Sequence, residues 1–276
     1  MAEAVSFCHE RNVKVYVAVN TLVKGGELSK IVTLAKDLSQ INVDGVIVQD
    51  LAVAEIFRSV SPSMPLHGST QMAIHNLEGA KALKEMGFSR VVLARELTFE
   101  EIEKITSLCG IETEVFVHGA HCMSASGMCY LSSFIGGRSG NRGRCAQPCR
   151  LDFKSGRNEY CLSLKDMCYV DFVEKLSRLG VASLKIEGRM KRAEYAYMAS
   201  KTYKKALLGE NTEAETTLLR GIFSRSGFTD GYIRGDRNKN MFGYRRKEDV
   251  EASASSLKAV GKIEEEKKLR SLVKGD

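Results

Sequence analysis

The feature that most constrains this chain is a repeated order of short apolar run and helical segment through its first 120 residues. Residues 13–20 (VKVYVAVN), 45–50 (GVIVQD), 65–71 (PLHGSTQ), 90–95 (RVVLAR) and 114–119 (EVFVHG) are strand-like runs whose starts lie 20 to 32 residues apart. Between them the apolar residues recur at helical spacing, as in Leu28, Ile31, Leu34, Ala35 and Leu38. Leu51, Ala54, Ile56 and Val60 predict a second such helix, residues 76–86 a third, and Thr98 opens a fourth with Glu101 three positions on, a capping-box spacing. Strands that alternate with helices predict a parallel sheet of βα units, and runs that are apolar throughout predict burial on both faces. Farther on, residues 160–166 (YCLSLKD) predict a short extended piece, with Lys165-Asp166 opening a helix that Gly180 stops. Residues 182–188 (ASLKIEG) predict a sixth strand and 193–207 its helix, with Tyr195, Met198, Ala199, Thr202 and Ala206 on one face.

A closed (β/α)8 barrel needs eight strands. Six strands, with residues 1–11 already reading as the helix before the first, predict an α/β, TIM-barrel-like parallel barrel that lacks its first two βα units. The expected organisation is an incomplete barrel over residues 1–210 with a cysteine-rich insertion at 119–168. A loop-rich extension follows at 211–247, where Phe223, Phe228, Tyr232, Ile233, Phe242 and Tyr244 are spread through Gly/Arg/Asn-rich sequence. Residues 248–276 are charged and free of aromatics and predict a marginally ordered tail, weakly helical around 262–272. No run of 18 apolar residues marks a membrane span, and the N-terminal segment lacks the basic-then-apolar order of a signal peptide. A cytoplasmic location is expected, and there eight cysteines favour free thiols or metal ligands over disulfides.

Chemistry gathers where the fifth strand ends. Four cysteines follow it in the pattern Cys122-x6-Cys129-x15-Cys145-x3-Cys149, with Cys161 and Cys168 shortly downstream as substitutes for one of the four. Thiolates are soft ligands that suit zinc or an iron–sulfur cluster, and four complete either. Structural zinc sites usually pair their ligands two to four residues apart. Only Cys145 and Cys149 approach that, so the irregular spacing suits a cluster better and leaves zinc, or plain reduced thiols, as alternatives. Cys8 and Cys109 fall on helix positions and read as core fillers. His118 and His121 flank the segment, each as readily a structural histidine as a ligand. No zinc-protease helix, nucleophile elbow or phosphate-binding glycine fingerprint is present.

Lysine and arginine outnumber acidic residues 41 to 34, and the excess is uneven. From Arg138 to Arg157 there are five arginines, one lysine and one aspartate, a cationic patch that can attract a polyanion such as RNA or serve only as a solvated loop. Each strand also ends in polar groups: Asn20, Gln49-Asp50, His67 with Ser69 to Gln71, Arg95-Glu96, His118, and Lys185 with Glu187. Ligand chemistry collects at such ends in barrels and open α/β sheets. Lys185 and Glu187 read equally well as an ion pair inside the barrel.

Glu114-x-Phe116-x-x-Gly119-Ala120-x-Cys122 and Gly127-x-Cys129-Tyr130-Leu131-Ser132 resemble the signature of peptidase family U32, the collagenase-like proteins. The resemblance runs on through 141–150 (NRGRCAQPCR), Ser163-x-Lys165-Asp166 and 183–191 (SLKIEGRMK), and upstream VYVAVNTL, GVIVQD, LHGSTQ and VVLARE are similar to the same family. The family name implies proteolysis. Its better understood bacterial members imply instead oxygen-independent hydroxylation of a tRNA wobble uridine (with prephenate as hydroxyl source), of a ribosomal RNA cytidine, or of the ubiquinone ring. The resemblance implies a 4Fe–4S cluster on Cys122, Cys129, Cys145 and Cys149, with Cys161 as substitute. For an RNA-modifying enzyme the strand-end groups His67, Gln71, Arg95, His118, Lys185 and Glu187 are the expected lining of the pocket, and Arg138, Arg142, Arg144 and Arg150 the expected phosphate contacts. Family members usually begin with two further βα units, the first carrying Leu-x-x-Pro-Ala-Gly. Their absence here implies a fragment, a late start, or a chain completed by a second chain, a non-catalytic partner in the last case. An iron–sulfur RNA-hydroxylating enzyme and a collagenase-like peptidase are the two activities implied, neither needing a membrane.

Overall fold

The computed structural model describes residues 1–189 and 191–274, with side chains described through residue 261. Its elements follow the expected alternation. Helix α1 (Ala2–His9) precedes β1 (Tyr16–Val19), then come α2 (Leu28–Gln40), β2 (Gly45–Val48), α3 (Leu51–Val60), β3 (Leu66–Gly68), α4 (Leu77–Glu85), β4 (Arg90–Val92) and α5 (Phe99–Leu108). Strand β5 (Glu112–Ala120) ends this series. The helices start where their side chains say they should. Asp50, Asn76 and Thr98 each accept a backbone N–H of the first turn, and Thr98 and Glu101 complete a reciprocal capping box. Helix α6 (Leu131–Gly136) lies within the cysteine segment. Beyond it come β6 (Asp166–Cys168), α7 (Val173–Leu179), β7 (Ser183–Ile186), α8 (Ala193–Leu207), α9 (Glu213–Ile222), β8 (Phe228–Thr229), α10 (Gly231–Arg234) and α11 (Lys247–Lys274).

The strands form a mostly parallel sheet ordered β1-β2-β3-β4-β5-β6-β8, with β7 also paired to β5. In that order β1 is paired to β2 and β8 to β6. The chain divides into two compact units, one of residues 1–115, 124–148 and 181–183, the other of 116–123, 149–180 and 184–276. In the first, β1 to β4 and the start of β5 are parallel throughout, from Tyr16↔Gly45 to Val92↔Glu114. Val46, Val48, Val91 and Val92 are sealed from solvent, as strands covered on both faces must be.

The second unit departs from the expectation. Asp166 opens a strand rather than a helix, and β6 runs antiparallel to β5, with His118 opposite Cys168 and Ala120 opposite Asp166. The expected helix begins later, at Val173, and ends on Gly180 in the left-handed conformation (φ 89°). The extension expected to be loop-rich contains α9, whose Glu215, Leu219 and Ile222 are buried at i, i+4 and i+7. The residues expected to form a marginal tail open a helix that packs. Val260 and Leu257 join Tyr195, Met198, Ala199, Leu219 and Ile222 in one apolar cluster, and Ser253 Oγ donates to the Ile222 carbonyl at 2.9 Å. The expected weak helix at 262–272 lies within α11, beyond the described side chains. No described helix is long and apolar enough to cross a membrane.

The docked start of α11 is open to test. Val260→Asp places a carboxylate at a site with no solvent exposure and should lower the unfolding free energy by at least about 2 kcal/mol in urea titrations. A tail that did not pack would tolerate it.

Candidate functional site

In the first unit the polar strand ends mostly satisfy one another. Asn20 Nδ2 donates to Ser69 Oγ (3.3 Å), Gln49 Nε2 to the Gln71 carbonyl (3.4 Å), and the Val23 N–H to Asp50 (2.9 Å). Glu96 accepts from the Ser126 hydroxyl at 2.8 Å and from its backbone N–H at 3.2 Å. His67 is buried against Tyr16, ring centroids 4.7 Å apart, and the Arg90 guanidinium lies over the same tyrosine. Arg90 itself bonds Glu112 at 2.7 and 2.9 Å. His67 is thus grouped with residues that open strands, whereas Gln71 and Arg95 lie past strand ends, both half-buried.

The cysteine segment contributes one thiol pair to each unit. Cys129 and Cys145 meet around Gly140, where a Cβ would lie 3.5 Å from the Cys129 carbonyl oxygen and 3.7 Å from Cys145 Cβ. Each sulfur accepts a backbone N–H, from Leu131 at 3.4 Å and from Gln147 at 3.2 Å. Bonds of that kind orient a sulfur and are the hydrogen bonds that a cluster ligand receives. In the other unit Cys122 and Cys149 both act electrostatically on Arg150. All eight cysteines are free, and these four are half-buried. Among the described residues no three His, Cys, Asp or Glu side chains are already arranged to hold a metal ion. The donor chemistry fits a soft-metal group. Cys161 donates weakly to the Asn158 carbonyl at 3.3 Å, and Cys109 is the expected core filler.

Two of the four arginines expected to hold phosphates have protein partners. Arg142 forks onto Glu27 at 2.7 and 2.9 Å and reaches the Leu22 carbonyl at 3.1 Å. The hydrogen bonds from Arg142 hold the Glu27 carboxyl down at about 2. Arg150 is an internal clamp: it donates to the Leu164 carbonyl at 2.7 Å, to Ser163 Oγ at 3.4 Å and to the His121 carbonyl. Burial lowers its pKa, with the like charge of Arg225 adding to the effect. Arg138 Nε donates to the Arg144 carbonyl at 3.0 Å, and both side chains are exposed.

The densest group of titratable side chains surrounds His118 in the second unit. The imidazole is wholly buried among Phe228, Tyr203 and Tyr195, at centroid distances of 5.1, 5.6 and 5.7 Å. Desolvation, helped by the charge of Lys191, drives its pKa down to about 3, so it is neutral at physiological pH. The Tyr203 hydroxyl donates to the Val117 carbonyl at 2.6 Å, accepts the Tyr169 N–H at 3.1 Å, and lies 3.3 Å from His118 Nδ1. Burial raises the pKa of Tyr203 and also of Cys168, whose sulfur is 3.7 Å from that hydroxyl. Glu187 is held here as well. Its N–H donates to the His118 carbonyl at 2.8 Å, and Tyr195 OH donates to its own carbonyl at 3.2 Å. Gly119 permits that approach, since a Cβ there would sit 2.6 Å from Glu187 Cβ at a φ of +121°. Lys185, two residues earlier, stands over the Phe116 ring.

Sequence reasoning missed three members of this group. Asp166 and Arg225 form a buried ion pair at 2.6 Å. Lys191 faces a cavity of about 300 Å³ beside Tyr195, Phe223 and Arg245, and desolvation lowers its pKa to about 8. A lysine that titrates near neutrality can hold or release a proton where neutral His118 cannot. For Lys191 the signal was its place in the run of Lys185, Glu187, Arg189 and Lys191 just past a strand end; nothing local marks Asp166 and Arg225, which are 59 residues apart. A second, open cleft is floored by Tyr160 stacked on Tyr244 (centroids 3.9 Å, planes 10° apart).

Two measurements check this arrangement. Tyr203→Phe removes a hydroxyl bonded to the Val117 carbonyl and the Tyr169 N–H, and because those two also bond each other at 2.9 Å it should cost only about 0.5–1.5 kcal/mol of stability. His118 binds its proton near 3 when folded and near 6.5 when unfolded, so as pH falls the unfolded chain takes up the proton first. Its contribution is complete above 6.5 and is lost as pH falls from 6.5 through 3, at up to about 1.4 kcal/mol per pH unit. Urea midpoints at successively lower pH should show that slope, and His118→Gln should flatten it.

The family model for peptidase family U32 matches residues 1–243. The chain is 39% identical over 215 residues to the 23S rRNA 5-hydroxycytidine C2501 synthase of Escherichia coli, a match over 75% of this chain and 32% of that protein. It is 35% identical over 221 residues to tRNA hydroxylation protein P1 of Bacillus subtilis, covering 75% of this chain and 52% of that one. An uncharacterized protease of Methanocaldococcus jannaschii is 33% identical over 285 residues, 94% of this chain and 68% of that one. The chain therefore spans between a third and about half the length of the two RNA-modifying relatives. On the family model and these identities together, the chain belongs to peptidase family U32.

Proposed function

We propose that this chain is an RNA-modifying enzyme that hydroxylates a pyrimidine of tRNA or ribosomal RNA, using an iron–sulfur cluster on Cys122, Cys129, Cys145 and Cys149. Two relatives are named for that chemistry, one on a ribosomal cytidine and one on tRNA. The observation that carries the reading is the segment between Glu114 and Asp152. It contains four arginines and no carboxylate, and within it Cys129 and Cys145 each accept a backbone N–H. A cationic surface beside soft, hydrogen-bonded sulfurs suits a polyanionic substrate brought to a redox group. When bound, the cluster would supply one-electron chemistry. Arg138 and Arg144 attract phosphates, Arg142 joins them only by leaving Glu27, and Arg150 supports the segment from inside. Lys191, titrating at about 8, is the side chain able to give or take a proton near neutral pH. Prephenate as hydroxyl source, a second chain that completes the sheet, and work in the cytoplasm belong to the same proposal. Cys161 is the substitute ligand.

The name of the family and of the archaeal relative favour a second reading, a collagenase-like peptidase. One preparation separates the two. Anaerobically purified protein should carry about four irons per chain with matching sulfide, and Cys122→Ser should lose them. Incubation with RNA and prephenate should add one oxygen to a pyrimidine nucleoside by mass spectrometry. Protein without iron that cleaves gelatin, and does so still with all four cysteines changed to serine, would establish the peptidase instead.

A further inference from the structure

Helix α6, inside the cysteine segment, turns its apolar side to solvent. Phe134 is 92% exposed, Tyr130 67%, Ile135 59% and Met128 54%. Scattered exposed apolar residues are ordinary, whereas four within eight positions form a patch. Tyr130 and Phe134 are one helical turn apart, joined by the Phe134 N–H to Tyr130 carbonyl bond at 2.9 Å, so they lie on one face. The other face is anchored. Ser132 is buried and accepts the Ala146 N–H at 2.9 Å, while Cys129 Sγ accepts the Leu131 N–H. Gly137, at a φ of +63°, ends the helix and sends the chain into the loop of Arg138 and Arg144. A Cβ built on Gly136 or Gly137 would meet nothing within 4 Å, so the end of the helix is uncovered as well.

Charge decides what the patch can receive. From residue 115 to 151 there are four arginines and no lysine, aspartate or glutamate. A second copy of this chain would bring the same arginines against these, a like-charge contact that costs binding. Exposed aromatic rings followed in the chain by the exposed Arg138 and Arg144 match an unpaired nucleotide strand, whose bases stack on rings while its phosphates meet cations.

We propose that Tyr130 and Phe134 form a base-stacking platform for single-stranded RNA, with Arg138 and Arg144 holding the backbone beside it. The inference rests on the RNA reading above and assigns that substrate to a face of this chain. It adds that the recognised RNA is unpaired where it meets the cysteine segment.

The test is fluorescence anisotropy with a labelled oligoadenylate and an abasic strand of equal length, using the full chain. The wild type should prefer the base-bearing strand. Phe134→Ala should weaken oligoadenylate binding by about fivefold to a hundredfold and leave the abasic strand unaffected, and Phe134→Trp should restore the preference. Arg144→Ala should weaken both strands alike and reduce the salt slope by about 0.7. Unchanged melting temperatures would show that the variants fold. If the wild type binds RNA and neither Phe134→Ala nor Tyr130→Ala alters its preference for bases, the platform is wrong and the RNA reading stands. If the wild type binds neither strand, both fall. A dimer in sedimentation that Phe134→Ala abolishes, with RNA affinity unchanged, would assign the patch to self-association and overturn the proposal.

Discussion

The guanidinium of Arg150 holds together what the second unit is built around. It is bonded at once to carbonyls on either side of the cysteine segment, at His121 and at Leu164, and to the Ser163 hydroxyl. Ser163 in turn donates to the Gly243 carbonyl at 2.7 Å and accepts the Gly243 N–H through its own carbonyl at 2.9 Å. One fixed fork therefore ties the exit of β5, the approach to β6 and the strand-like piece after α10. Arginine suits that task because its donors are rigid and its charge persists when buried. Lysine would supply a single point of attachment.

Around this clamp the second unit concentrates charge in its interior. Asp166 and Arg225 are paired, Arg150 is bonded to neutral carbonyls, and Lys191 is largely withdrawn from water. Buried charge is a poor source of stability, and the first unit carries some as well, at Arg90 and Glu114, 3.4 Å apart with little exposure. The burial that makes His118 neutral also raises the pKa values of Tyr195 and Tyr203. Burial acts in the other direction on the lysine at the edge of the group, lowering the pKa of Lys191 to about 8.

Much of the fold was legible because the first unit obeys local rules. Its strands pair with their neighbours in sequence, and its helices carry their own caps at Asp50, Asn76 and Thr98. The second unit obeys partners distant in sequence. Asp166 to Cys168 form a strand because residues 118–120 lie alongside, which nothing in three residues announces. Helix α9 was missed although Glu215, Leu219 and Ile222 kept helical spacing, because the glycine- and arginine-rich residues after it dominated the reading. The cysteines stood out through their chemistry. The tyrosine that shares a hydrogen-bond network with His118 lies 85 residues away, and Arg142 and Arg150 resembled phosphate ligands because sequence shows a cation without its partner.

The passage of β5 from one unit into the other has a consequence for synthesis. Every sheet partner of the first four strands lies within the first 114 residues. The far end of the same strand must wait for residues 166–168, and those for residues 228–229. As the chain leaves the ribosome its parallel half can assemble in order, each closure short and early. Its antiparallel half stays unpaired through the emergence of more than forty further residues, the cysteine segment among them. The thiols of the cysteine segment are therefore exposed before the structure that surrounds them has closed.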